Sequence, residues 1–235
     1  MEKLLLIIPA FNEEANIKKT VAMVQKSGFD YIVINDGSSD GTKAICEELG
    51  INVINLPINL GIGGAVQTGY RYASEKGYKY AVQIDGDGQH DADFLGKMMS
   101  YMQENKSDMV IGSRFIEKVG FQSTSLRRIG IKWFSWLIHL LTGQKITDPT
   151  SGLRLCGKRA IDLFAHDYPR DYPEPETEVN LLKRGMRIVE IPVVMKDRKG
   201  GHSSISFKKS VYYMIKVTLS ILIVGTKNYK REERH

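Results

Sequence analysis

The sequence predicts an α/β protein: an open, doubly wound, mostly parallel sheet with an apolar, interfacial helix at its C-terminal end. Three observations predict it. Short apolar runs alternate with amphipathic segments, the pattern of strands covered by helices. Four strand-to-helix crossovers follow one another within the first 115 residues. Polar clusters rich in Asp and Gly stand directly after the apolar runs, where open sheets of this kind carry their ligand loops.

In order, the strands are expected at Leu4–Ile8, Tyr31–Asn35, Asn52–Leu56, Tyr80–Ile84 and Met109–Gly112. The helices between them are expected at Glu14–Lys26, Gly41–Glu48, Ile62–Lys76 and Asp91–Glu104; in the first, Ile17, Val21 and Val24 make a stripe of period 3.6. After about residue 115 the pattern changes. Ser125–Thr142 reads as a helix with a basic first turn and an apolar remainder, and Gly152–Cys156 and Arg187–Val194 read as strands extending the sheet. Asp197–Ser206 is a basic loop rich in Gly and Ser, and it leads into the apolar helix. The expected organisation is a catalytic domain over 1–206, with a ligand half at 1–115 and an acceptor half at 116–206, and a helix with a basic tail at 207–235.

Composition bounds the partners. A chain of 235 residues with 42% hydrophobic and 26% charged residues suits one domain with a modest appendage. The formal charge of +6 favours anionic partners: nucleotides, phospholipid head groups or nucleic acid. Cys46 and Cys156 stand far apart, which points away from a disulfide framework or a zinc site and toward a reducing cytoplasm. The opening MEKLLLIIPAFNEE is an apolar run stopped by Pro9 and acids, so it reads as a first strand and not a signal peptide. Val211–Val224 is apolar but interrupted by Lys216, and it falls short of the roughly 20 residues a membrane span needs.

The most specific motif is Asp85-Gly86-Asp87-Gly88-Gln89-His90, immediately after the apolar YAVQI. Two carboxylates one residue apart in a tight turn can converge on a divalent cation, and Gly86 and Gly88 allow the backbone close to a diphosphate. Mg²⁺ or Mn²⁺ held there would act as a Lewis acid on a departing nucleoside diphosphate. An acidic turn without a ligand accounts for the same spacing, because Asp-Gly pairs are common in turns. In Asn35-Asp36-Gly37-Ser38-Ser39-Asp40-Gly41-Thr42, Asp36 at a strand end can accept a hydrogen bond from a base N–H. Ser39, Asp40 and Gly41 are better explained by turn chemistry, with Asp40 as the N-cap of the next helix.

Other chemistries are excluded by their missing residues. Gly61-Ile62-Gly63-Gly64 lacks the third glycine of a dinucleotide fingerprint, where Val66 stands, and follows the third strand instead of the first. A P-loop and an H-E-x-x-H motif are both absent. A basic nucleic-acid module, suggested by Arg127, Arg128 and Lys132, is opposed by the acidic strand-end loops, so no nucleic-acid partner is expected. A sugar nucleotidyltransferase would share the sheet and the acidic metal site, but the PAFNE opening lacks the Gly- and Lys-rich first loop expected of one.

PAFNEE, NDGSSDGT, NLGIGGAVQTG, DGDGQH and GSR, in this order, resemble glycosyltransferase family 2, whose catalytic domains have the Rossmann-like A-type nucleotide-sugar fold. The resemblance covers about the first 115 residues. DPTSGLR at Asp148–Arg154 and the basic loop before the apolar helix look like its polyprenyl-phosphate branch, which includes dolichol-phosphate mannosyltransferase and undecaprenyl-phosphate sugar transferases. The resemblance implies that Pro9, Phe11, Glu13, Ile34 and Asp36 hold the nucleoside, and that Asp85, Gly86, Asp87 and Gln89 line the diphosphate, with Asp85, Asp87 and Gln89 around the metal. It implies that Arg114, one of Arg127 and Arg128, and Arg198 face phosphates, so that Asp87, Arg114, Arg128 and Arg198 form the catalytic set. Two departures stand out: Phe11 replaces a common Tyr, leaving base stacking alone, and the transmembrane region of many lipid-carrier members is missing.

The expected reaction is an inverting displacement that moves a sugar from a nucleoside diphosphate sugar, uridine favoured over guanosine, to a polyprenyl phosphate. An anionic acceptor needs positioning by arginines and no strong base. A sugar-hydroxyl acceptor, as in polysaccharide extension, would need one, and Glu174, Glu176 and Glu178 are then the candidates, their bland role being acids at a helix start. The expected location is cytoplasmic and peripheral on the inner membrane face, through direct contact or a small membrane-protein partner; a homo-oligomer is compatible with the same apolar helix.

Overall fold

The structure is a computed structural model that describes residues 3–84, 92–117, 125–193 and 207–229. The elements in chain order are β1 (Leu4–Ala10), α1 (Ile17–Lys26), β2 (Asp30–Asn35), α2 (Thr42–Glu48), β3 (Val53–Asn55), α3 (Gly61–Glu75), β4 (Tyr80–Gln83), α4 (Ala92–Asn105) and β5 (Met109–Ser113). They are followed by α5 (Ser125–Thr142), β6 (Arg154–Gly157), α6 (Lys158–His166), α7 (Pro173–Lys183), β7 (Ile188–Pro192) and α8 (Phe207–Thr226). The strands form one sheet in the order β3-β2-β1-β4-β6-β5-β7.

The chain divides into two compact units, Met1–Val110 with Gly152–Asp171, and Ile111–Ser151 with Tyr172–His235. In the first unit β1 pairs in parallel with β2 on one side and β4 on the other, and β2 pairs in parallel with β3. Leu4 through Ile8 are all buried, as a central parallel strand covered on both faces requires. The chain winds outward from β1 to β3 and returns to β4 on the opposite side of β1. That reversal makes the carboxyl ends of β1 and β4 the switch point at which such sheets open a ligand crevice. β6 lies antiparallel to β4, with Ala81 opposite Cys156.

The four expected crossovers are all present, with shifted ends. α1 begins at Ile17 and not Glu14, because the Glu13 carbonyl takes the N–H of both Asn16 and Ile17 and makes residues 14–16 the entering turn. Its stripe of Ile17, Val21 and Val24 is buried as expected. β6 and β7 replace the expected Gly152–Cys156 and Arg187–Val194 with shorter, shifted spans. α6 has no counterpart in the sequence reading. It buries Ala160, Ile161, Phe164 and Ala165 and packs against α3, where Phe164 and Tyr70 meet at 5.1 Å.

Two glycines of the NLGIGGAVQTG run have packing roles. A Cβ at Gly63 would strike the backbone carbonyls of Pro169 and Arg170, and the Gly63 N–H donates to the Arg170 carbonyl at 3.1 Å. A Cβ at Gly69 would strike the Ile7 side chain, so this glycine sets how closely α3 lies on β1.

In the second unit α5, α7 and α8 pack on one another. α8 buries Val217, Ile221 and Val224, while Val211, Tyr212, Ile215, Leu219, Leu222 and Ile223 are exposed. Met214 and Thr218 turn partly toward α5. A Cβ at Gly130 would lie 2.8 Å from the Met214 sulfur, and Trp133 Nε1 donates to Thr218 Oγ1 at 3.0 Å. Among the described residues no helix is long and apolar enough to cross a membrane.

Candidate active site

The first unit builds its loops into one another. Ala10 ends β1 beside Asn35 at the end of β2, and the Asp36 N–H donates to the Ala10 carbonyl at 2.8 Å. Asn12, at φ 54°, takes the left-handed conformation that Asn tolerates best among non-glycine residues. Its N–H donates to Ser38 Oγ at 3.0 Å, and its Oδ1 accepts the Ser39 N–H at 2.9 Å. The Glu13 N–H donates to Thr42 Oγ1 at 2.8 Å. Glu14 and the turn before α2 exchange bonds: the Glu14 N–H goes to Asp40 Oδ2 at 3.1 Å and the Gly41 N–H to Glu14 Oε2 at 2.7 Å.

Asp40 is thus turn chemistry, as expected, but it is not the N-cap. Gly41 occupies that position without a side-chain cap, and Asp40, one residue earlier, accepts the Thr42 N–H at 3.0 Å and its hydroxyl at 2.6 Å. Desolvation pushes the Asp40 carboxyl up, but the bonds from Thr42 and Glu14 together outweigh it and hold the group below its ordinary value.

Asp36 stands apart from this lattice. It is 3% exposed, and its Oδ1 accepts the Leu60 N–H at 2.7 Å, which ties the loop after β3 to the end of β2. The Asn59 side chain donates to the Asp36 carbonyl at 3.2 Å. Gly37, at φ +66°, makes this approach possible, since a Cβ there would lie 2.7 Å from the Asn59 nitrogen. Oδ2 of Asp36 accepts no hydrogen bond among the described residues, so the carboxylate is held by one oxygen with the other available. Phe11 is 49% exposed on the neighbouring loop and presents an aromatic surface there. Pro9 and Glu13 are half-buried at the same strand end, whereas Ile34 lies fully in the core, where it can only support the floor.

Asp85, Gly86, Asp87 and Gln89, the expected diphosphate and metal residues, and Arg198 lie outside the described residues. Among the described residues no group of three His, Cys, Asp or Glu side chains could hold a metal ion. β4 runs alongside β1, with the Ile84 N–H donating to the Ile7 carbonyl at 2.9 Å.

In the second unit, Arg114 at the end of β5 is forked by Asp148, with Nε to Oδ2 and Nη2 to Oδ1 both at 2.7 Å. The two side chains are 8% and 0% exposed. The sequence reading found Arg114 and the DPTSG segment separately, but not their pairing across 34 residues. Glu190 on β7 was not singled out at all, and it accepts the N–H groups of both Thr147 and Asp148. Burial pushes the Glu190 carboxyl up, Asp148 adds to that, and the bonds from Thr147 and Asp148 pull it part of the way back. Arg127 and Arg128 are exposed on the first turn of α5. Glu174 and Glu176 sit in the first turn of α7 as dipole-stabilising acids would, but Glu178 is fully buried.

A parallel sheet that reverses beside β1, with interlocked loops and a buried carboxylate at the strand ends, has the architecture of a nucleotide-binding α/β enzyme. Residues 5–164 match the glycosyl transferase family 2 model, and the chain belongs to that family. It is 33% identical over 209 residues to the UDP-N-acetylglucosamine–dolichyl-phosphate N-acetylglucosaminyltransferase of Methanococcus voltae, a match covering 80% of this chain and 83% of the relative. It is 29% identical over 215 residues to the undecaprenyl-phosphate mannosyltransferase of Micrococcus luteus, covering 87% and 88%. Among solved structures, the glucosyl-3-phosphoglycerate synthase of Mycobacterium tuberculosis in complex with Mn²⁺, uridine diphosphate and phosphoglyceric acid shares the fold. Its TM-score is 0.71 at 17% identity, over 96% of this chain and 79% of that one.

Proposed function

We propose that the chain transfers a sugar, with inversion, from a nucleoside diphosphate sugar to a polyprenyl phosphate at the cytoplasmic face of a membrane. The observation that carries this reading is the similarity to two lipid-phosphate sugar transferases over at least 80% of this chain, which takes in the acceptor half as well as the nucleotide half. Asp36 accepts a base N–H through its uncommitted oxygen, and Phe11 stacks on the base. A uridine nucleotide suits one available acceptor oxygen, since uracil offers a single ring N–H where guanine offers a two-donor edge. Asp85, Asp87 and Gln89 would hold Mg²⁺ or Mn²⁺, which would supply charge stabilisation to the leaving diphosphate. An acceptor phosphate oxygen forms a bond to the anomeric carbon as the bond from that carbon to the diphosphate oxygen breaks. The acceptor is already anionic, so Arg114, Arg128 and Arg198 orient it and no side chain takes a proton from it.

The membrane reading rests on the second unit. Trp136 and Leu140 of α5 and Ile215, Leu219 and Ile223 of α8 are all more than half exposed, on two helices that pack side by side. Lys216 of α8 is half-buried, its ammonium 5.8 Å and 5.7 Å from the Tyr172 and Tyr212 ring centres. Exposed apolar and tryptophan side chains on adjoining helices suit the boundary between head groups and acyl chains. The test is transfer of labelled sugar from UDP- and GDP-sugars to a short-chain polyprenyl phosphate with Mg²⁺ or Mn²⁺. A lipid product is expected; glycosylation of an oligosaccharide with the lipid phosphate inert would refute the acceptor and turn attention to the α7 carboxylates.

A further inference from the structure

We propose that Glu190 is a positioning residue that sets the direction of Arg114 through the Thr147–Asp148 turn, without touching substrate. The inference rests on the reading that Arg114 faces a phosphate oxygen. β7 carries Glu190 to the turn, where Oε2 accepts the Thr147 N–H at 2.8 Å and Oε1 accepts the Thr147 hydroxyl and the Asp148 N–H, each at 2.9 Å. From that turn two branches run back to the end of β5.

The first branch is a directed chain of hydroxyls. An ionised carboxylate only accepts, so the single Thr147 hydroxyl proton points at Glu190, and the 2.7 Å contact between Ser113 Oγ and Thr147 Oγ1 is donated by Ser113. Ser113 immediately precedes Arg114. The second branch is the ion pair. With its own N–H anchored by Glu190, Asp148 accepts the Arg114 backbone N–H at 3.1 Å and both arms of the guanidinium fork. Nη2 also donates to Thr150 Oγ1 at 3.1 Å.

Three of the five guanidinium N–H donors are therefore committed. The two on Nη1 meet no acceptor among the described residues. A planar group fixed along one edge cannot swing, so those two donors have a set direction, matching two oxygens of a phosphate or diphosphate. The pair with Asp148 is neutral overall. Arg114 thus acts on an anion less as a bare charge than as a rigid two-donor hook, and its aim depends on the turn that Glu190 holds. Glu190→Gln keeps the shape but replaces one acceptor oxygen with a donor NH₂ facing a backbone N–H, which releases part of the turn without opening a void.

The test is a double-mutant cycle on the full-length chain, with transfer to a short-chain polyprenyl phosphate as readout and calorimetry for nucleotide binding. Glu190→Gln should lower kcat by about 10- to 100-fold, the effect of sub-ångström misplacement, with nucleotide affinity within about twofold. In an Arg114→Ala background the same change should add less than about twofold, because its target is gone. Equal factors in both backgrounds, or an equal loss of nucleotide binding, would overturn the proposal. A second readout needs no transfer. The ¹⁵N resonance of the Arg114 Nε–H should exchange slowly with solvent in the wild type and at least about tenfold faster in Glu190→Gln, as expected when a buried hydrogen bond loosens; unchanged exchange overturns the proposal. A wild type inert toward every lipid phosphate would refute the function proposed above, while the exchange measurement still decides the role of Glu190. If Glu190→Gln does not fold, Thr147→Val cuts only the hydroxyl branch and should give a smaller kcat loss in the same direction, abolished in Arg114→Ala; no loss of kcat overturns the proposal.

Discussion

Replacing Asp148 with Ala should destabilise the second unit more than almost any other single change in it. The carboxylate is fully buried, and it receives the Arg114 backbone N–H together with Nε and Nη2. Its removal strands a guanidinium whose side chain is 8% exposed, leaving the Nε and Nη2 edge without its carboxylate. Breaking a buried pair from one side costs about 3–5 kcal/mol. At a urea slope of roughly 2 kcal/mol per molar, a loss near 4 kcal/mol moves the midpoint by about 2 M. Both tryptophans, Trp133 and Trp136, lie on α5 in the same unit, so their fluorescence reports its unfolding. Arg114→Met added to Asp148→Ala removes the stranded charge and should recover more than half of the loss. A single-variant loss under about 1 kcal/mol, the scale of an exposed ion pair, would show that the pair is hydrated and refute this account. So would a double variant no better than Asp148→Ala.

Three further outcomes are expected if the proposed function holds. Asp36→Ala removes the anchor of the Leu60 N–H and the available acceptor oxygen, and should weaken nucleotide binding by about 1.5–3 kcal/mol; equal affinity by calorimetry would reduce Asp36 to a loop tie. Asp87→Asn, and excess chelator on the wild type, should each abolish transfer while circular dichroism stays unchanged; turnover in chelator would exclude the metal. Leu140→Asp with Ile215→Asp should release the protein from anionic liposomes in flotation, since each apolar side chain withdrawn from the interface forfeits about 1.5–3 kcal/mol; undiminished flotation would place the contact elsewhere.

How much of the site could be read from the chain differs from residue to residue. Asp36 was legible because a carboxylate directly after an apolar strand has one place to be in a parallel sheet, and the structure finds it buried at the β2 end. Asp40 was legible as a turn residue but misplaced by one position, because side-chain bonds to Thr42 serve the helix start from just outside it. The glycines after β3 look in the sequence like a broken dinucleotide fingerprint. Gly63 is explained by the backbone of residues 169 and 170, which no local window contains. α6 escaped because a nine-residue helix directly after a strand offers few turns of periodicity.

By itself, the sequence determined the alternation of strands and helices, the positions of the polar loops at the strand ends and the apolar character of α8. Each depends on spacings of two to four residues, which backbone geometry imposes wherever the chain folds. Only the tertiary structure decided which charges meet. Arg114 could have faced solvent, substrate or any acid, and it meets Asp148 because β5 ends beside the turn that Glu190 holds from β7. The same holds for α5 and α8: Val217, Ile221 and Val224 turn inward and Ile215, Leu219 and Ile223 outward because neighbouring helices cover one side of α8. Burial and pairing are properties of the neighbours an element acquires, and those neighbours lie tens of residues away in the chain.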